Sequence, residues 1–86
     1  MPRLSEFFGI IISMYYNDHT PPHFHARYSE YETTVLINTL EVYEGNLPRR
    51  ALSMVLEWAA LHRRELQQNW NKARRGKPLR RIKQLE

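Results

Sequence analysis

The segment Asn17-Asp18-His19-Thr20-Pro21-Pro22-His23-Phe24-His25-Ala26-Arg27-Tyr28 decides how the rest of the chain is read. Thr20-Pro21-Pro22 is a loop signal, because each proline biases the residue before it towards an extended backbone. The chain re-enters a strand near His23. Strand alternation then sends Phe24, Ala26 and Tyr28 one way and His23, His25 and Arg27 the other. Upstream, the stretch from Phe7 to Tyr16 reads as one strand with Phe8, Ile10, Ile12, Met14 and Tyr16 on the core face. Downstream, Ser29-Glu30 reads as a tight turn into Tyr31 to Ile37, and Asn38-Thr39 as another into Leu40 to Tyr43. The expectation is a four-stranded antiparallel meander.

Gly45-Asn46 ends the sheet, and a long helix is predicted from Asn46 or Leu47, with Pro48 in a first turn where its missing N–H costs nothing. It runs to about Arg75 and stops at Gly76, with Pro78 beyond. Leu52, Val55, Leu56, Ala59, Leu66, Trp70 and Ala73 form the stripe expected to lie on the sheet, with His62 at its margin. Met54, Trp58 and Leu61 fall on nearly the opposite side and need a cover, either the tail residues Leu79, Ile82 and Leu85 or a partner protein. With 86 residues, the chain has room for one α+β domain. Residues 1–45 form the sheet half, 46–76 the single helix packed on it, and 77–86 a basic tail.

The absence of cysteine removes disulfide staples, zinc ribbons and thiol nucleophiles, leaving His, Asp, Glu and Tyr as available ligands or catalysts. It fits a reducing cytosol, and a cytoplasmic location is expected. The apolar run from Phe7 to Met14 is too short to span a bilayer and has no small-residue cleavage site, so no membrane is expected. The net charge of +4 hides an asymmetry. Residues 1–48 hold two Lys/Arg against six Asp/Glu (−4), and residues 49–86 hold eleven against three (+8). Such a field speeds association with nucleic acid, acidic proteins or anionic surfaces without choosing among them.

Three of the four histidines follow the spacing His-x3-His-x-His beside Asp18. Alternate strand residues can aim at one ion, so His23 and His25 with a loop-borne His19 make a candidate three-ligand site for a divalent transition metal, with a position left open. Without metal, His23 and His25 supply a general acid and base and Arg27 a phosphate clamp. Asp18, His19, Tyr16 and Tyr28 are then candidate ligand contacts, and Tyr15 a further hydrogen-bond donor. A plain structural role stands beside both readings, with the imidazoles paired to backbone carbonyls or to Glu32 across the hairpin. Lys72, Lys77, Arg80, Arg81 and Lys83 are candidate contacts to nucleic acid or an acidic partner. Lys72, Arg74 and Arg75 also complement the helix dipole, and Arg49-Arg50 oppose it.

Phe7-Phe8-Gly9-Ile10, the segment from Met14 to Tyr28, and Leu47-Pro48-Arg49-Arg50-Ala51-Leu52 through Trp58 together resemble the prokaryotic domain of unknown function family 4160. The string Asp-His-x-Pro-Pro-His-Phe-His is the most specific part of the likeness. The resemblance implies a short protein encoded beside a small partner protein, in an arrangement similar to toxin–antitoxin pairs. Ser29 departs from the glycine that many relatives carry at the hairpin turn. The resulting expectation is a toxin–antitoxin-like protein acting on RNA or another phosphorylated ligand through its histidine face. The alternatives are a non-catalytic module docking an acidic partner through Met54, Trp58, Leu61 and the tail, and a metal-binding protein or metal-dependent enzyme. The sequence leaves open whether the chain is an enzyme. A second copy of the chain is a further candidate partner.

Overall fold

The computed structural model describes residues 2–86, and Met1 lies outside it. The fold is α+β, with five antiparallel strands in the order β1 (Arg3–Phe7), β2 (Ile10–Ser13), β3 (His23–Tyr28), β4 (Tyr31–Leu36) and β5 (Val42–Gly45). Two helices follow, α1 (Arg49–Leu61) and α2 (Arg63–Arg74). The expectation of four strands and one long helix is therefore corrected at two places.

The first correction lies at Phe8-Gly9. Phe7 pairs with Ile10, so the two residues between them close a hairpin, and both have positive φ (49° and 79°). Those angles match a tight hairpin turn that twists with its strands, usually written with Asn or Asp before the glycine. Phenylalanine in that place, inside an apolar run, hid the turn. Phe8 is consequently exposed, as is Tyr16, whereas Ile10, Ile12 and Met14 lie in the core as expected. The additional strand, β1, buries Leu4, Ser5 and Phe7 and leaves the charged Arg3 and Glu6 exposed.

The second correction lies at His62, which separates the helices with φ −123° and ψ 25°. Its N–H is shared between the carbonyls of Trp58 and Ala59, and its own carbonyl still accepts from Leu66. The helical path is therefore bent rather than ended. Pro48 caps α1 from outside and accepts from Leu52 N–H, instead of lying in the first turn. At the far end Gly76 (φ 68°) donates to Ala73, and Lys77 donates to Lys72, which is the glycine-terminated stop the sequence predicts.

Ile10, Ile12, Met14, Phe24, Ala26, Val35 and Ile37 join Val55, Trp58, Ala59, Leu66, Trp70 and Ala73 in one core. Leu52 and Leu56 pack at its margin. The tail covers Trp58: Ile82 is buried, its N–H donates to the Leu4 carbonyl at 2.8 Å, and the indole N–H of Trp58 donates to the Lys83 carbonyl at 2.8 Å. Asn69, also buried, holds the tail with both ends of its amide, donating to Arg80 O and accepting from Arg80 N at 2.9 Å each. Met54 is half-buried and Leu61 stays exposed.

Gly45 ends β5 with φ 73°, and a Cβ there would run into the Glu32 carbonyl. The obstacle is backbone rather than a movable side chain. Gly45→Ala is expected to cost about 2–4 kcal/mol, from the left-handed backbone plus overpacking, and urea unfolding of the variant checks it.

Candidate functional site

The site grows from the loop between β2 and β3 and the first half of β3. Ser13 and Thr34 flank His25 on the neighbouring strands, and Leu36 is opposite His23. The Thr20–Pro21 bond that leads into β3 is cis. The loop folds back over the strand so that Asp18 stands above the two histidines. A single carboxylate oxygen, Asp18 Oδ2, is 2.8 Å from His23 Nε2 and 2.8 Å from His25 Nε2. The three side chains are largely buried, at 17%, 5% and 15% exposed for Asp18, His23 and His25.

The far sides of both rings are held too. His23 Nδ1–H donates to the Pro21 carbonyl at 2.7 Å. A carbonyl only accepts, so this bond puts a proton on Nδ1 and turns Nε2 towards Asp18. His23 also lies against Trp70 of α2, with ring centroids 5.2 Å apart. His25 meets Tyr15 edge-on at 4.4 Å, and its buried Nδ1 faces Glu32 Oε2 at 3.7 Å without a hydrogen bond. Burial opposes ionisation of Asp18, but the hydrogen bonds and charge of His25 and His23 outweigh it and hold the carboxyl below its ordinary value.

One ligand atom from each of Asp18, His23 and His25 lies within 4.8 Å of the other two, so that the three residues are able to hold a metal ion. Two imidazoles and one carboxylate suit zinc or iron(II), with one or more positions left for water or substrate. The Pro21 carbonyl behind His23 is the outer partner that metal-ligating histidines commonly have.

The structure gathers the expected residues selectively. His23, His25 and Asp18 come together, whereas His19 is 85% exposed, with its Nδ1 4.0 Å from Asp18 Oδ1. The three converging groups are thus two histidines and an aspartate instead of three histidines, because His19 points outward from the loop. Arg27 shares the sheet face but is exposed, opposite Glu32 in the register. Tyr16 is exposed, and it is Tyr15 that touches His25. Tyr28 lies on the other face, paired with Ile10 and Tyr31 and close to Gly9. His62 is engaged elsewhere, donating from Nδ1 to Glu65 at 2.6 Å and packing on Trp58. Trp70 behind His23 was not legible as a site residue, since its place in the helical stripe marks it only as core.

Lys72, Arg80 and Arg81 line a cleft between α2 and the tail, while Lys77 and Lys83 are exposed beside it. No helix among the described residues is long and apolar enough to cross a membrane.

No curated protein and no solved structure matches the chain. The sequence pattern of the family described as "Domain of unknown function (DUF4160)" matches residues 9–71, which begins at Gly9 of the first turn and takes in the whole Asp18/His23/His25 cluster and Trp70. With most of its length inside that match, the chain belongs to the DUF4160 family.

Proposed function

We propose that the chain binds a divalent transition metal through Asp18 Oδ2, His23 Nε2 and His25 Nε2. The observation that carries this reading is the orientation of His23. Its Nδ1 proton is committed to Pro21, so Nε2 can meet an ionised carboxylate at 2.8 Å only across a cation, either a second ring proton or a metal ion. Tetrahedral coordination at zinc distances separates ligand atoms by about 3.3 Å. Relative to the 2.8 Å contacts, the cluster needs to open by only about half an ångström. A bound metal would offer its open position to a water or substrate oxygen and act there as a Lewis acid.

The test uses protein purified without an affinity tag, stripped with chelator and titrated with Zn²⁺, Fe²⁺ or Ni²⁺. Stoichiometric binding and a rise in melting temperature are expected, both abolished in a His23→Ala/His25→Ala variant that keeps its circular dichroism spectrum. A stripped protein that neither binds nor gains stability with any of these ions defeats the reading.

In the second reading the cation is a proton. His23 and His25 then act as the acid–base pair expected from the sequence, and Arg27, exposed on the same face, holds a phosphate. This reading also accommodates a toxin–antitoxin-like role with a small partner. It requires that cleavage of RNA or another phosphorylated substrate persist in chelator and disappear with Arg27→Ala.

A further inference from the structure

We propose a second binding site, for the sugar–phosphate backbone of nucleic acid, in the cleft between α2 and the tail. The cleft encloses about 220 Å³ between Glu65, Gln68, Asn69 and Lys72 of α2 and Arg80, Arg81 and Ile82 of the tail. A shallower continuation of about 390 Å³ adds Asn71 and Arg75 while sharing Gln68, Lys72 and Arg80. Cations therefore stand on both walls of one groove.

Two features mark it as a built site. Among the described residues, none of Lys72, Arg75, Arg80 and Arg81 belongs to an ion pair. The one acid in the lining, Glu65, accepts the His62 hydrogen bond at 2.6 Å. In addition, the backbone that carries the cationic wall is fixed in position. Asn69 clamps the backbone of Arg80, and Ile82 and Lys83 are anchored on Leu4 and Trp58. Gathering like charges along one groove is unfavourable, and an anion bound among them relieves the repulsion.

The lining also selects the kind of anion. Arginine forks and the amides of Gln68 and Asn71 suit phosphate oxygens. Trp70 and Ile82 are buried, so the groove exposes no aromatic platform for stacking bases and no apolar anchor of the sort that dominates peptide recognition. Contact is therefore with the backbone and independent of base sequence. Gln68, Lys72 and the C-cap residue Arg75 follow one face of α2, while Trp70, which touches His23, projects roughly half a turn away. The groove and the histidine cluster thus lie on different sides of α2, and this proposal does not rest on the metal reading.

Fluorescence anisotropy with short labelled single-stranded oligonucleotides of unrelated sequence tests the proposal. Equal affinities across sequences are expected. Four neutralised phosphates give a slope of log K against log salt of about −3, or roughly a fifty-fold loss between 50 and 200 mM salt. Lys72→Gln/Arg80→Gln, which leaves the backbone clamp on Arg80 intact, is expected to weaken binding at least tenfold and roughly halve the slope. Arg49→Gln/Arg50→Gln removes the same charge outside the groove and is expected to change affinity less than threefold. The proposal is overturned if the two double variants weaken binding equally, if neither does, or if polyglutamate of equal charge binds as tightly.

Discussion

Trp58→Ala is expected to lose about 3–5 kcal/mol of folding free energy, the cost of truncating a buried aromatic and leaving a cavity. The whole stability of a chain this size is roughly 4–13 kcal/mol, so the variant loses a large share of it. Trp58 is fully buried, and its ring packs on Phe7, Phe24 and His62 at centroid distances of 5.5, 6.0 and 5.4 Å. It joins the β1–β2 hairpin, the central strand and the helix bend, and its N–H holds the tail through Lys83. Trp58→Phe keeps most of the packing and should lose about 1–2 kcal/mol, largely from the hydrogen bond. Urea unfolding followed by circular dichroism measures both. A loss below 1 kcal/mol for the alanine variant would mean that the ring does not occupy the core as described.

Asp18→Asn is expected to reduce affinity for Zn²⁺ at least a hundredfold, since it removes one of the three proposed ligands and the only charge among them. His19→Ala, which changes an exposed side chain, should alter it less than threefold. Competition with a chromogenic chelator reads both. Comparable losses for the two variants would show that His19 swings in as a ligand.

Asp18→Asn also has a signature in metal-free protein. The folded state lowers the Asp18 pKa, so ionisation is easier in the fold than in the unfolded chain. The stability this confers is complete above the ordinary carboxylate range and is lost as pH falls through the lowered value, below about pH 4. The asparagine variant should therefore show a shallower loss of stability with acid. An unchanged acid limb would separate Asp18 from the fold's pH response.

Strand alternation was enough to place His23 and His25 on one face, because β3 is a regular strand whose other face carries Phe24 and Ala26 in the core. Adjacency in sequence suggested Asp18 as a neighbour. Its role as the shared acceptor depends on how the loop folds back over β3, and no residue pattern encodes that path. The helical wheel put Trp58 on the side away from the sheet, but its ring packs on Phe7 and Phe24 of the sheet; what was readable is that the tail closes over it, through Ile82 and the Lys83 carbonyl. The hairpin at Phe8-Gly9 was not readable, since a continuous apolar run looks the same with or without a turn inside it. His62 gave no warning of the bend, because histidine is neither a strong helix former nor a breaker.

The bond from Ile82 N–H to the Leu4 carbonyl also sets an order of events during synthesis. All five strands precede the helices in the chain, so the sheet can pair while α1 and α2 are still being made. Leu4 and Trp58 must nevertheless wait for residues 82 and 83, which are made 78 and 25 residues after them (82 − 4 and 83 − 58). At about 5–20 residues per second, the nascent chain holds an apolar edge uncovered for several seconds before its tail arrives. During that interval it is most exposed to chaperones and proteases.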